Sequence, residues 1–299
     1  MDKKSILIIG STGFIGKNIA EKLINNTDYI VTRYSSKNSK YLDSTKIIKY
    51  DVLIFASGIH KDSNYSNSDI FTHSKNNLRK LIYFLDKVDK VIFISSFKTS
   101  FNYKNNVVEY KTKYNFYHKD SLYGKSKILA EKIFLYFCKL KKKKYIILSP
   151  THVIGPEKNM LSINNNQIKK IYKKNLLFYP DCNISVVDVR NISKFIEKII
   201  ISNNFDEKKI ILNDKTLKYI DYFKIIKNNN FFLTVKINKN LFKIIFYFQN
   251  FLKKLRLIEN QYVNKSQISY LNLNPIVKTN IYKGEIPFEK TIADIKKLL

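Results

Sequence analysis

Ser5-Ile-Leu-Ile-Ile9-Gly10-Ser-Thr-Gly13-Phe-Ile-Gly16 is the stretch that decides the fold. Ser5–Ile9 is a short aliphatic run of the kind that forms a buried strand, and the helical pattern Ile15–Asn25 opens as the glycines end. A glycine motif carries meaning only in such a strand-to-helix setting. Here Gly10 permits the tight turn, Gly13 lets a pyrophosphate approach the backbone, and Gly16 lets the helix lie close to the strand. The helix N-terminus then turns its N–H groups and its positive dipole end towards the phosphates. Only seven glycines occur in 299 residues, which gives weight to three at this spacing.

Outward from that loop, strands alternate with helices. Tyr29–Tyr34, Asp51–Ala56, Val91–Ser95, Tyr145–Ser149 and Asn183–Val189 read as strands. Asn76–Leu85, Ser121–Lys141 and a segment running to Ile201 read as helices. The alternation predicts an α/β protein with a Rossmann-type, doubly wound parallel sheet. Asp120 and Ser121 are the candidate N-caps of the long helix, and Lys141–Lys144 reads as its solvated, dipole-compensating end. Beyond Pro150 the alternation weakens, and about 157–181 and 205–299 read as short helices and loops. The expected organisation is a dinucleotide-binding domain over 1–156, joined by about 183–202, with 157–299 mainly a smaller C-terminal substrate-binding lobe. No repeat and no Pro/Gly/Ser-rich linker separates the two.

The formal net charge of +30 raises nucleic acid or an anionic membrane as partners. Of the 54 basic residues, however, only Arg33, Arg79, Arg190 and Arg256 are arginine, the residue suited to bidentate phosphate and base contacts. Abundant Lys, Asn, Ile, Tyr and Phe point instead to AT-rich codons, and no nucleic-acid partner is expected. Cys138 and Cys182 lack CxxC spacing, and the N-terminus enters a strand too short for a signal sequence, so the expectation is a reduced, cytoplasmic protein. His60, His73, His118 and His152 are too scattered for metal-ligand spacing, and no metal is expected. The apolar stretch Leu241–Leu252, interrupted by Lys243, Gln249 and Asn250, is too short to span a bilayer. It is expected to be a core or subunit-contact helix, as in a homodimer, in preference to an interfacial amphipathic one.

Tyr123-Gly-Lys-Ser-Lys127 places a phenol and an ammonium at i and i+4, on one helix face. A neighbouring cation favours the phenolate, which fits such a pair for acid–base work. The strand Val91–Ser95 runs into Ser96, whose hydroxyl can hold a substrate oxygen beside the phenol.

Together these residues resemble the extended short-chain dehydrogenase/reductases, the NAD-dependent epimerase/dehydratase group. Gly10–Gly16 matches that family's N-terminal fingerprint, and Tyr123-Gly-Lys-Ser-Lys-Ile-Leu-Ala-Glu131 its active-site helix. Asp51–Ala56, Val91–Ser96, Ser149–Pro156, Val187–Asn191 and Lys283–Phe288 resemble further family segments. The resemblance implies that Tyr123 is the acid–base, that Lys127 eases its ionisation and binds the nicotinamide ribose, and that Ser96 orients the substrate oxygen. It implies cofactor contacts at Gly10, Thr12, Gly13, Phe14, Ile15, Gly16, Arg33, Ala56, Lys127 and Pro150. Hydride would pass between the nicotinamide and a substrate carbon while Tyr123 moves the proton.

Departures narrow the reading. Arg33 and Lys37 stand where NAD-preferring members place an acid for the ribose diol, which tilts the expected cofactor from NAD towards NADP. The segment before Asp51 is short for a usual third strand, and Asn191 replaces an acid. Phe97-Lys98 replaces the Asp-Glu pair of the sugar 4,6-dehydratases, which excludes dehydration. The expected activity is reduction or epimerisation of a nucleotide-activated sugar, with Arg190 a candidate substrate contact or a structural ion-pair partner. The alternative is an NADPH-dependent reductase of a small carbonyl compound, resembling the dihydroflavonol or 3β-hydroxysteroid branch. A non-enzymatic, cofactor-sensing member would typically have lost the Tyr123/Lys127 pair.

Overall fold

Strands rich in Ile, Leu, Val and Phe on both faces need helices on both sides, and that requirement sets the architecture. The computed structural model describes residues 3–34, 49–58, 67–102, 107–108, 122–158, 162–206, 208–228, 230–255, 257, 276–277 and 281–299. In chain order, β1 (Lys4–Ile9), α1 (Phe14–Ile24), β2 (Tyr29–Tyr34), β3 (Tyr50–Phe55), α2 (Asn67–Leu85) and β4 (Val88–Ile94) come first. A 3-10 turn (Phe97–Ser100) and the short β5 (Phe101–Asn102) and β6 (Val107–Val108) follow, then α3 (Leu122–Leu140), β7 (Lys144–Pro150) and β8 (His152–Ile154). The chain continues through α4 (Ile163–Lys173), β9 (Leu176–Pro180), β10 (Asn183–Asp188), α5 (Val189–Ser202), β11 (Lys208–Leu212) and β12 (Lys215–Lys218). It ends with α6 (Tyr219–Lys227), β13 (Leu233–Ile237), α7 (Lys239–Lys254), β14 (Ile276–Val277) and α8 (Phe288–Lys296).

Six of these strands form one parallel sheet in the order β11-β7-β4-β3-β1-β2. Because successive side chains point to opposite faces, Ile6, Ile8, Ile54 and Ile92 join the core under α1 and α5. Leu7, Ile9, Phe55 and Phe93 join the core under α2 and α3. The doubly wound sheet expected from the sequence is therefore present. A third core, between α4, α6, α8 and the small sheet β12-β10-β8, holds Ile168, Val186, Tyr222, Phe223 and Phe288.

Several elements differ from the sequence reading: β9, β12 and β13 are strands in segments that read as short helices and loops. β11 extends the main sheet, although Lys-Lys-Ile-Ile-Leu between polar residues reads as loop; pairing with β7 makes the strand. α2 begins at Asn67 rather than Asn76, because its polar first half hides the helical period. α7 is not a core helix: Leu241, Ile244, Tyr247, Phe248 and Phe251 are all exposed. The proposed caps Asp120 and Ser121, and the segment 35–48 where a third strand was in question, lie outside the described residues.

Candidate active site

Close backbone approaches build the loop after β1. Gly10 has a φ of +88°, in the left-handed region that glycine adopts without penalty. A Cβ there would lie 2.7 Å from the Ser57 nitrogen, so the loops after β1 and β3 are pressed together. A Cβ on Gly16 would lie 2.2 Å from the Gly10 carbonyl oxygen, so only glycine lets α1 sit this close. Gly13 is different. Its Cβ would meet nothing nearer than 3.5 Å, and the residue is exposed, so this position opens outward. Gly13 caps α1 without a side chain, and Lys17 makes the helix's first backbone bond, to the Gly13 carbonyl at 2.8 Å. The N–H groups of Phe14, Ile15 and Gly16 thus form an uncapped first turn.

This turn stands where the strand order reverses, with β2 on one side of β1 and β3 on the other. Open α/β sheets bind ligands at that place, beyond the carboxyl ends of the strands. Thr12 is exposed beside it. Arg33, next to last in β2, donates from Nη2 to the Ser11 carbonyl at 3.4 Å, which brings its guanidinium onto the glycine loop. Lys37 lies outside the described residues. Ala56 closes the other wall, its N–H donating to the Ile9 carbonyl at 2.8 Å. Pro150 ends β7 along the same edge and is buried.

Tyr123 and Lys127, in the first turns of α3, line one cleft with Ser57, Gly58 and Asn77. The Lys127 ammonium reaches Gly58, where a Cβ would lie 2.6 Å from Nζ. It also stands 5.9 Å from the centre of the Tyr123 ring. A second ammonium, that of Lys98, lies 5.6 Å from the same ring. In the sequence Lys98 counts only as the loss of an acidic pair, because nothing local shows the 3-10 turn folding back towards α3.

Ser96 opens that turn and is buried. Its carbonyl accepts the Thr99 N–H at 3.0 Å, and its Oγ accepts the Lys98 N–H at 3.4 Å. Ser96 does not line the cleft shared by Tyr123 and Lys127; Lys98, two residues on, bridges from the Ser96 turn to the phenol. Beneath the turn is Glu131, wholly buried one helical turn beyond Lys127. It accepts hydrogen bonds from Ser95 Oγ and, at 2.8 Å, from Lys209 Nζ. Thr99 Oγ1 accepts from Lys209 Nζ at 2.6 Å and stands 2.6 Å from the Glu131 carboxylate. Burial pulls the Lys209 ammonium below the ordinary lysine range, and Glu131 opposes the shift. Glu131 is legible as part of a motif; Lys209, on β11, is not.

Residues 6–187 match the model of the NAD dependent epimerase/dehydratase family. The chain belongs to this family. No curated protein matches it. Solved structures share the fold of this family member at low identity. One is gox2253, with a TM-score of 0.77, 15% identity and coverage of 99% of this chain and 98% of that one. Another is RMD from Pseudomonas aeruginosa complexed with NADPH, with a TM-score of 0.69, 14% identity and coverage of 99% and 98%. A third is UDP-glucuronic acid 4-epimerase from Bacillus cereus in complex with NAD, with a TM-score of 0.66, 16% identity and coverage of 98% and 99%.

In this epimerase/dehydratase chain, Val187–Asn191 is a joint between α5 and α8. Arg190 pairs with Asp188 at 2.6 Å and with Asp294 at 2.8 Å, so its guanidinium is engaged as an ion-pair partner. Asn191 donates to Asp214 at 2.9 Å and to the Ile286 carbonyl at 3.0 Å, and its Oδ1 accepts the Ile286 N–H at 2.9 Å. An aspartate there would face the Asp214 carboxylate without a proton to share, which accounts for the amide. His152, partly buried on β8, donates from Nδ1 to the Ser185 carbonyl at 2.9 Å, and its ring lies 5.5 Å from that of Phe97. Burial lowers its pKa to about 4; the Ser185 bond opposes this, and the Lys98 ammonium adds to it.

Proposed function

We propose that the chain is an NAD(P)-dependent oxidoreductase or epimerase acting on a nucleotide-activated sugar, by 4-keto reduction or C4-type epimerisation. The observation that carries this reading is the shared cleft of Tyr123 and Lys127, walled by the loop after β3 that also packs on Gly10. The uncapped amides of α1 and the outward-opening Gly13 fit a pyrophosphate, and Lys127 fits the nicotinamide ribose beside the reacting carbon. A bound nicotinamide cofactor supplies the hydride acceptor or donor.

The remaining chemistry belongs to side chains of this protein. Tyr123 takes the proton of the substrate hydroxyl as its carbon gives up hydride, and returns it to the carbonyl oxygen in the opposite direction. The ammoniums of Lys127 and Lys98 offset the negative charge that the phenol oxygen carries before it takes the proton and again after it returns it. Ser96, expected from the sequence to orient that oxygen, is buried outside the cleft, and in this reading its Oγ, which accepts the Lys98 N–H, positions the turn that Glu131 and Lys209 brace. In this reading the part of the chain built on α4, α6 and α8 serves as the substrate-binding lobe expected from the sequence. The Bacillus cereus neighbour is named for a UDP-sugar, which supports this substrate class.

Arg33 on the glycine loop supports NADP over NAD, because a guanidinium there suits a 2′-phosphate. A dissociation constant for NADH lower than that for NADPH would overturn that preference. Arg190, a candidate contact for the sugar nucleotide, is engaged by Asp188 and Asp294 and acts as a structural ion-pair partner, so this reading does not assign it to the diphosphate. Identification of the nucleotide that co-purifies, followed by NMR of UDP-sugars incubated with the enzyme, tests the whole reading. Tightly held NAD with C4 inversion identifies an epimerase, and exchangeable NADPH with 4-keto reduction a reductase. Absence of any bound or titratable dinucleotide refutes both.

A further inference from the structure

Helix α7 presents an apolar stripe to the outside, while its Ile245, Phe246 and Leu252 are half-buried. Leu241, Ile244, Phe248, Phe251 and Leu255 recur at intervals of three and four, so they form one stripe. All five are exposed, Ile244 at 63% and Phe248 at 60%, and Tyr247 beside them at 68%. The side facing inward carries Gln249, which is buried and donates to the Ile245 carbonyl at 3.0 Å. A helix with a polar residue inside and an aromatic stripe outside inverts the usual arrangement of a globular surface. The strand ribbon before it repeats the pattern. β9 and β13 pair with Leu233 opposite Leu176 and Val235 opposite Phe178, and these four residues are also exposed.

Charge identifies the occupant. Between Asp221 and Glu259 there is no acidic residue, but there are eight Lys or Arg; Lys227 of these is buried and Lys236 pairs with Asp181 at 2.7 Å, while Lys243, Lys253 and Lys254 stand exposed on α7 itself. A second copy of the chain would set these lysines against their own kind. An anionic bilayer supplies both what the aromatics need and what the lysines need, an acyl boundary beside a layer of phosphates. Among the described residues no helix is long and apolar enough to cross a membrane, so the contact would be in the plane of the surface. We propose that α7 docks flat on an anionic lipid surface, with the 244/248/251 stripe at the headgroup–acyl boundary and its lysines at the phosphates.

The chain contains no tryptophan, so Phe248→Trp introduces a single reporter into the full-length protein. With vesicles of equal parts phosphatidylcholine and phosphatidylglycerol, its emission should shift to the blue and be quenched by brominated lipid. A reporter at Tyr136→Trp, exposed on α3, should do neither. The double variant Phe248→Ser/Phe251→Ser changes only exposed residues and should bind these vesicles about tenfold or more weakly than the parent. Equal binding by parent and double variant would mean that net charge alone holds the protein there, and would overturn the proposal. Self-association in vesicle-free buffer that the double variant abolishes would assign the stripe to a second copy, and would overturn it as well.

Discussion

The Lys127 ammonium occupies the volume that a side chain at position 58 would need, since a Cβ on Gly58 would lie 2.6 Å from Nζ. The nearby atom is the end of a flexible chain, so Gly58→Ala should fold with nearly parental stability while pushing the ammonium off the wall of the cleft. Turnover should fall by about tenfold or more, as expected when a charged group is displaced from the reacting atoms. Thermal melting and steady-state kinetics on the same preparation check both halves. Parental kcat in a folded Gly58→Ala protein would remove Lys127 from the proposed mechanism.

Gly13 and Gly16 should fail in different ways. Gly13→Val points into open space, so the protein should fold but lose NAD(P)H binding in a fluorescence titration. Gly16→Ala drives a methyl into the Gly10 carbonyl, and the cost should appear as a lowered melting temperature before any binding is measured. Parental affinity for NAD(P)H in Gly13→Val would show that the loop does not hold the pyrophosphate.

Tyr123→Phe keeps the ring between the Lys98 and Lys127 ammoniums and removes only the hydroxyl. Turnover on the cognate substrate should drop by about 10²–10⁴-fold with cofactor affinity retained. Lys98→Met should lower kcat with little change in cofactor binding, whereas Lys127→Ala should weaken both. Near-parental turnover in Tyr123→Phe would overturn the assignment of the acid–base.

Glu131 and Lys209 form a buried pair, so removing one partner strands the other. Lys209→Met should destabilise the fold by about 3 kcal/mol, measured as a shift of the urea midpoint. Combining it with Glu131→Gln, which removes the orphaned charge, should recover part of that loss. If the double variant is no more stable than Lys209→Met, the ion pair is not what holds the turn.

Stability should carry an acid limb from His152. Its folded-state pKa is about 4, below the ordinary 6.5, so the unfolded chain takes up the proton first as pH falls. The contribution is fully present above pH 6.5 and is lost between 6.5 and 4, with an upper bound of about 3 kcal/mol over that window. Stability measured across pH should show a shallower fall over this interval in His152→Gln than in the parent.

The sequence by itself determined the elements whose cause is local. A strand, a seven-residue glycine motif and the helix that its last residues open follow one another without a gap, so Gly10–Gly16 could be read as a phosphate-facing turn. Tyr123 and Lys127 share a face because an α-helix brings i and i+4 together wherever it sits. Both faces of β1, β3 and β4 are apolar, so the doubly wound sheet was also legible. Tertiary structure alone decided what depends on contacts across long stretches of chain. It brought Lys98 to Tyr123, set Gly58 against Lys127 and buried Lys209 on Glu131. It also made β11 a sheet strand by pairing it with β7, and it decided which side of α7 faces outward. The period of an amphipathic helix fixes that it has an apolar face, but only packing chooses between burying that face and presenting it, and here Gln249 went in and Phe248 stayed out.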